Sequence, residues 1–108
     1  MAIDGALGAC IVDYKSGMSL GYSGGGVDLE LAAAGNSEVV KAKMATMKSL
    51  GIKGEIEDIL ITLKDQLHII RPTASHDGLF IYLVLDKGKS NLALARRKVH
   101  SIEEVLEV

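Results

Sequence analysis

Tryptophan is absent from this chain, aromatic side chains make up only 4% of it, and there is one cysteine and one proline. Without aromatics at spaced positions there is no stacking platform for bases or sugars. A lone Cys10 excludes an internal disulfide and fits a reducing compartment. Basic residues form no cluster larger than Arg96-Arg97-Lys98 and the net charge is −2, whereas a general nucleic-acid binder carries a basic stripe. No apolar run approaches the roughly 18–20 residues that span a bilayer. The start, MAIDGALGACIVDYK, has Asp4 where a secretory signal would have basic residues. The expectation is a soluble, cytoplasmic protein without nucleic-acid binding or membrane insertion. What the chain does have is 48% hydrophobic residues in a length of 108, enough for one domain, 1–108, with a real core.

The most strand-like apolar stretch lies between 56 and 86. Ile59, Ile61 and Leu63 fall on one face of an extended run and Leu60 on the other; later, Leu79, Ile81, Leu83 and Leu85 alternate with Phe80, Tyr82 and Val84. Successive strand residues face opposite sides, so such a sheet needs cover on both faces, unlike an antiparallel sheet with one wet side. Three strands are predicted here, at about 54–63, 66–72 and 79–86. Lys64-Asp65-Gln66 turns the first pair, and Pro72, lacking an amide donor, belongs at a strand end.

The flanking segments supply the rest. Residues 6–13 and 18–22 read as a hairpin turned at Tyr14-Lys15-Ser16-Gly17. Asp28 is the expected N-cap of a helix running to about Leu50, with Gly51 as its left-handed stop. That helix would be roughly 33 Å long. Leu29, Ala33, Val40, Met44 and Met47 form a stripe on it, interrupted by Asn36 and slimmed by Ala32-Ala33-Ala34-Gly35. The stripe fits either tight packing on the chain's own sheet or contact with a second helix. A last helix, capped by Ser90 or Asn91, carries the unbroken seam Leu92, Ala95, Val99, Ile102 and Leu106, with Ser101 and Glu104 offering an alternative second start. The expected class is α+β, in the order ββ-α-βββ-α.

No group of residues rises to catalysis. Gly21-Tyr22-Ser23-Gly24-Gly25-Gly26 lies between strand and helix but fits neither common phosphate-loop pattern. Asp28 would compete with an anion there, so a flexible connector is expected. Cys10 reads as a small buried hydrophobe. His68, His76 and His100 are scattered without metal-ligand spacing. Glu55, Glu57 and Asp58 have neither a nucleophile nor a pocket beside them and read as a polar strand entry. No cofactor, metal or catalytic residue is expected, and the protein should act by contact.

The residues themselves resemble a known family. DGALGACIVDYKSGMSLGYSGG is similar to the opening hairpin of the roadblock/dynein light-chain family. GEIEDILITLKDQLHIIRP resembles its central hairpin, ending in Arg71-Pro72, and LFIYLVLDKGKSNLALARRKV its last strand and final helix, with Asn-Leu-x-Leu-Ala-Arg at 91–96. The resemblance implies a profilin-like domain, a five-stranded antiparallel sheet of order 2-1-5-4-3, and pairing of third strands edge to edge in homodimers or with a paralogous domain. It also implies a platform that regulates small Ras-like GTPases; one bacterial branch works with such a GTPase in motility or signalling. The alternative is an assembly adaptor for a motor, kinase or signalling complex without effect on nucleotide turnover. A small-molecule sensor, expected to declare itself by a well-formed apolar cavity, is a third class. Members usually open on an amphipathic helix, whereas only Met1 to Gly5 precede the first strand here, so the face that helix protects should be covered otherwise or by a partner.

An edge strand rich in Ile and Leu pairs with another chain or aggregates, and self-pairing would be two-fold symmetric with the long helices side by side. The seam is therefore expected at Ile56, Ile59, Leu60 and Ile61 together with Ala33, Val40, Met44 and Met47. Arg96, Arg97 and Lys98 are the candidate contacts to an acidic partner surface.

Overall fold

The structure, a computed structural model, describes residues 5–25, 27–73 and 77–105. Its elements are β1 (Ala6–Asp13), β2 (Met18–Gly24), α1 (Leu29–Ser49), β3 (Ile59–Thr62), β4 (Gln66–Pro72), β5 (Leu79–Asp86) and α2 (Leu92–Glu104). All five strands form one sheet in the order β2-β1-β5-β4-β3, every pairing antiparallel. The α+β class and the strand order are as the sequence predicts. The end of the apolar seam at Leu106 and the loop histidine His76 lie outside the described residues.

Central β5 is buried along Leu79–Leu85 because each face meets a different helix. Phe80, Tyr82 and Val84 join Cys10, Val12 and Ile70 beneath α1. Ile81, Leu83 and Leu85 join Leu67 and Ile69 beneath α2, whose Ala95 and Val99 enter the same cluster. The period-two alternation of the strand thus builds two cores rather than one. Burying each large aliphatic or aromatic side chain contributes about 1.5–3 kcal/mol.

Both helices start and stop on local chemistry. Asp28 accepts from the Leu31 amide at 3.1 Å, and Asn91 accepts from the Leu94 amide at the same distance, each satisfying an otherwise unpaired helix-start donor. Asn91, not Ser90, is the cap of α2, and the helix runs through Ser101 without a second start. At the end of α1, Gly51 takes φ +70°. The Ile52 amide reaches the Met47 carbonyl and the Gly51 amide that of Lys48, the double closure that a left-handed glycine permits. Where the stripe on α1 breaks, Ser37 is fully buried and its hydroxyl donates to the Ala33 carbonyl at 2.7 Å.

Two segments differ from expectation. β2 extends to Gly24, two residues further than predicted, because the glycine run is part of the ladder: Gly24 pairs with Gly8, and the Gly25 amide donates to Leu7. A Cβ on Gly8 would lie 2.2 Å from the Gly25 oxygen, so the two backbones come this close only because Gly8 has no side chain. β3 covers Ile59–Thr62 rather than 54–63. Continuing its register backwards would set Asp58 against Arg71 and Glu57 against Pro72, and proline has no amide to offer. The lead-in leaves the ladder there and is held from the α2 side instead.

Candidate interaction surface and cleft

That hold consists of two arginines. Arg71, on the α2 face of β4, donates through Nε to Glu103 Oε1 at 2.7 Å, and its other nitrogens reach the Glu57 carbonyl and His100 Nδ1 at 3.5 and 2.9 Å. The Glu103 side chain is only 9% exposed, so the charge-assisted bond is shielded from water. Arg96 makes two bonds to the Asp58 carboxylate, at 2.9 and 3.1 Å. The acidic entry read as merely polar is therefore a clamp, and Arg96 is committed within the chain, while Arg97 and Lys98 stand exposed on α2.

Past the clamp, β3 is an edge strand. The Leu63 amide donates to the Gln66 carbonyl. By the alternation of an antiparallel ladder, Ile61/His68 and Ile59/Ile70 are also bonded pairs. The amides and carbonyls of Leu60 and Thr62 therefore point away from β4, unpaired by this chain. Ile59 and Ile61 pack at the border of the α1 core and Leu60 at the border of the α2 core, all three half-buried.

Beside β3 runs a chain of polar contacts on the α1 face. The Tyr82 hydroxyl lies 2.8 Å from His68 Nδ1, and His68 Nε2 lies 2.9 Å from Gln66 Oε1. The arrangement suits a neutral imidazole that accepts at Nδ1 and donates at Nε2. Burial lowers the His68 pKa from its ordinary value. Burial raises that of Tyr82, with the Asn36 side chain pulling the other way and Cys10 adding to the rise. Cys10, 2% exposed, has its thiol pushed up to about 11 by burial. It is a packed hydrophobe, as expected.

The eight residues expected at a seam separate into three places. Ala33 and Val40 are fully buried in the α1 core and have no surface to give a second chain. Both side chains pack on the chain's own sheet. Ile59, Leu60 and Ile61 are at the open edge. Met44, Met47 and Ile56 line a cleft of about 570 Å³ at the end of the sheet, together with Tyr14, Ile52 and Pro72. Lys48, Lys53, Gly54, Glu55, Thr73 and Asp77 complete its lining. Sequence reading missed the cleft, the Arg71–Glu103 bond and the Tyr82–His68–Gln66 chain. One signal was available: Arg71 follows Leu67 and Ile69 on one face of its strand, a cation in a row of core positions. Among the described residues no group of three His, Cys, Asp or Glu could hold a metal ion, and no helix is long and apolar enough to cross a membrane.

No protein-family model and no curated protein matches the sequence. The architecture does have solved counterparts. The roadblock/LC7 domain from Streptomyces avermitilis superposes with a TM-score of 0.82 at 12% identity, covering 95% of this chain and 83% of that one. MglB of Myxococcus xanthus gives 0.79 at 17% identity, over 92% and 78% of the two chains. The gliding protein MglB from Thermus thermophilus gives 0.78 at 18%, over 93% and 74%. With its five strands in the order 2-1-5-4-3 and its two helices matched over nearly all of its length, this chain folds as a roadblock/LC7 domain.

Proposed function

We propose that the protein is a non-catalytic, cytoplasmic scaffold that pairs through β3, with itself or with a paralogous roadblock domain, and regulates a small Ras-like GTPase. The observation that carries this reading is the state of β3. It is an apolar edge, regular in register, with Leu60 and Thr62 presenting unpaired backbone groups outwards, and its approach is braced by Arg71 and Arg96. Such an edge is a template for another strand. A two-fold axis through it joins two five-stranded sheets into ten strands. The likeness to MglB proteins supports a GTPase as the regulated partner.

In this reading the joined sheet holds the partner's switch loops in one of two arrangements and so biases a nucleotide-dependent equilibrium. Arg97 and Lys98 offer cations to an acidic patch on that partner. The test is to measure GTP hydrolysis and nucleotide release by a candidate Ras-like GTPase with and without the protein, alongside sedimentation of both. The expected result is a complex with a changed rate of one step. A complex without any rate change gives the adaptor role instead, and absence of both complex and rate change overturns the proposal.

A further inference from the structure

The cleft at the end of the sheet is built from parts far apart in the chain, and that construction says what it can take. Met44, Met47 and Lys48 come from the last turns of α1, Ile52 to Ile56 from the connection to β3, Pro72 and Thr73 from the end of β4, and Tyr14 and Asp77 from the two neighbouring turns. Walls from several directions form a half-open cleft. At about 570 Å³ the space falls within the range of small-molecule sites, roughly 300–1,000 Å³. Six of its lining residues are apolar or aromatic. The two thioethers among them adapt to irregular ligands, and the Tyr14 ring is held against Phe80, centroids 6.4 Å apart.

The lining carries Lys48 and Lys53 against Glu55 and Asp77, and Lys15 beside it tips the local balance towards positive charge. Asp77 is paired with Lys15 at 3.6 Å. Among the described residues no carboxylate lies within ion-pair distance of Lys48 or Lys53, leaving two ammonium groups against the single carboxylate of Glu55. A lysine at such a rim can lay its apolar stem along the lining while its charge stays in water. We infer that the cleft binds an amphiphilic anion, an apolar chain or ring seated on Met44, Met47 and Ile56 with a carboxylate between Lys48 and Lys53. The lining includes no residue of β3, and the site adds to the scaffold a place where a small molecule can act.

The probe is decanoate, titrated below its micelle concentration into the purified full chain, with decyltrimethylammonium as the cation of equal chain length. The readout is calorimetry together with methionine methyl NMR. Saturable one-to-one binding of decanoate, at least tenfold tighter than the cation, with shifts at the Met44 and Met47 methyls and none at Met18, supports the site. Lys48→Glu combined with Lys53→Glu should weaken decanoate about tenfold, and because both side chains are exposed the variant keeps its fold. Met47→Glu should abolish binding, while Leu31→Glu on the exposed face of α1 leaves it unchanged. No saturable binding, equal affinity for the cation, or shifts confined to Met18 overturns the inference, and none of these outcomes bears on GTPase regulation.

Discussion

The two edges of this sheet invite opposite conclusions depending on how they are judged. β2 shows the more apolar surface: Met18, Leu20 and Tyr22 are 65%, 55% and 63% exposed. β3 is shorter and its Ile59, Leu60 and Ile61 are half-buried. Yet β2 is broken as a template. Ile11 pairs with Gly21 and Val12 with Ser19, so Leu20 is an extra residue in a bulge. The bulge twists the edge and flips the side-chain alternation, a recurrent way of blunting a free strand. β3 keeps its register with β4 throughout. In the proposed pairing, regular backbone and not exposed hydrophobic area is what distinguishes β3 from β2.

The most severe way to break this contrast is to remove the brace behind β3. Arg71→Ala removes the charge-assisted bond to the nearly buried Glu103, and breaking such a pair costs about 3–5 kcal/mol. Chemical denaturation should show that loss, with faster amide exchange at 55–58; stability within about 0.5 kcal/mol of the parent would mean the clamp is ornamental. Ile59→Lys or Ile61→Lys comes next, because an ammonium placed at the α1 core without a counter-ion costs several kcal/mol. The variant should sediment as a monomer or fail to fold, and an intact dimer in both would remove β3 as the joint.

A gentler cut is Thr62→Pro. It removes an outward amide while leaving the bonded pairs with β4 in place, so the monomer should fold while dimer dissociation rises by at least tenfold. On the other edge, Leu20→Lys should change stability by no more than about 0.5 kcal/mol and leave sedimentation as it was; a loss of dimer here would reverse the assignment of the two edges.

The smallest effect concerns acid. His68 lies opposite Ile61, and burial lowers its folded pKa below the ordinary 6.5. Between those values the unfolded chain binds the proton more readily than the folded one. Stability from this group is therefore complete above about 6.5 and drains as pH falls through the folded pKa. Urea midpoints for the parent and for His68→Gln, compared at neutral and mildly acidic pH, should differ in slope in that direction, and identical slopes would dismiss the effect.

What could be read in the sequence followed how local the determining chemistry is. β1, β4 and β5 lie where their apolar alternation and their bounding Asp13, Pro72 and Asp86 put them. Asp28 and Gly51 delimit α1 because capping involves only the adjacent turn. The lead-in to β3 was misread because Ile56 and Ile59 look strand-like, while its path is decided by Arg71, Pro72 and Arg96, residues distant along the chain. Ala33 and Val40 mark another boundary. A helical stripe reveals that a face is buried, not against whose sheet. The cleft had no local pattern at all, since its walls converge only after folding.

The crossing of Gly8 and Gly25 reaches further than its size suggests. The backbone leaves the sheet there at a separation no methyl group could share, and four residues later α1 begins. An alanine at position 8 would have to push the Gly25 carbonyl aside, just where the chain leaves β2. One hydrogen on Gly8, where a carbon would not fit, lets the chain leaving β2 lie this close to β1.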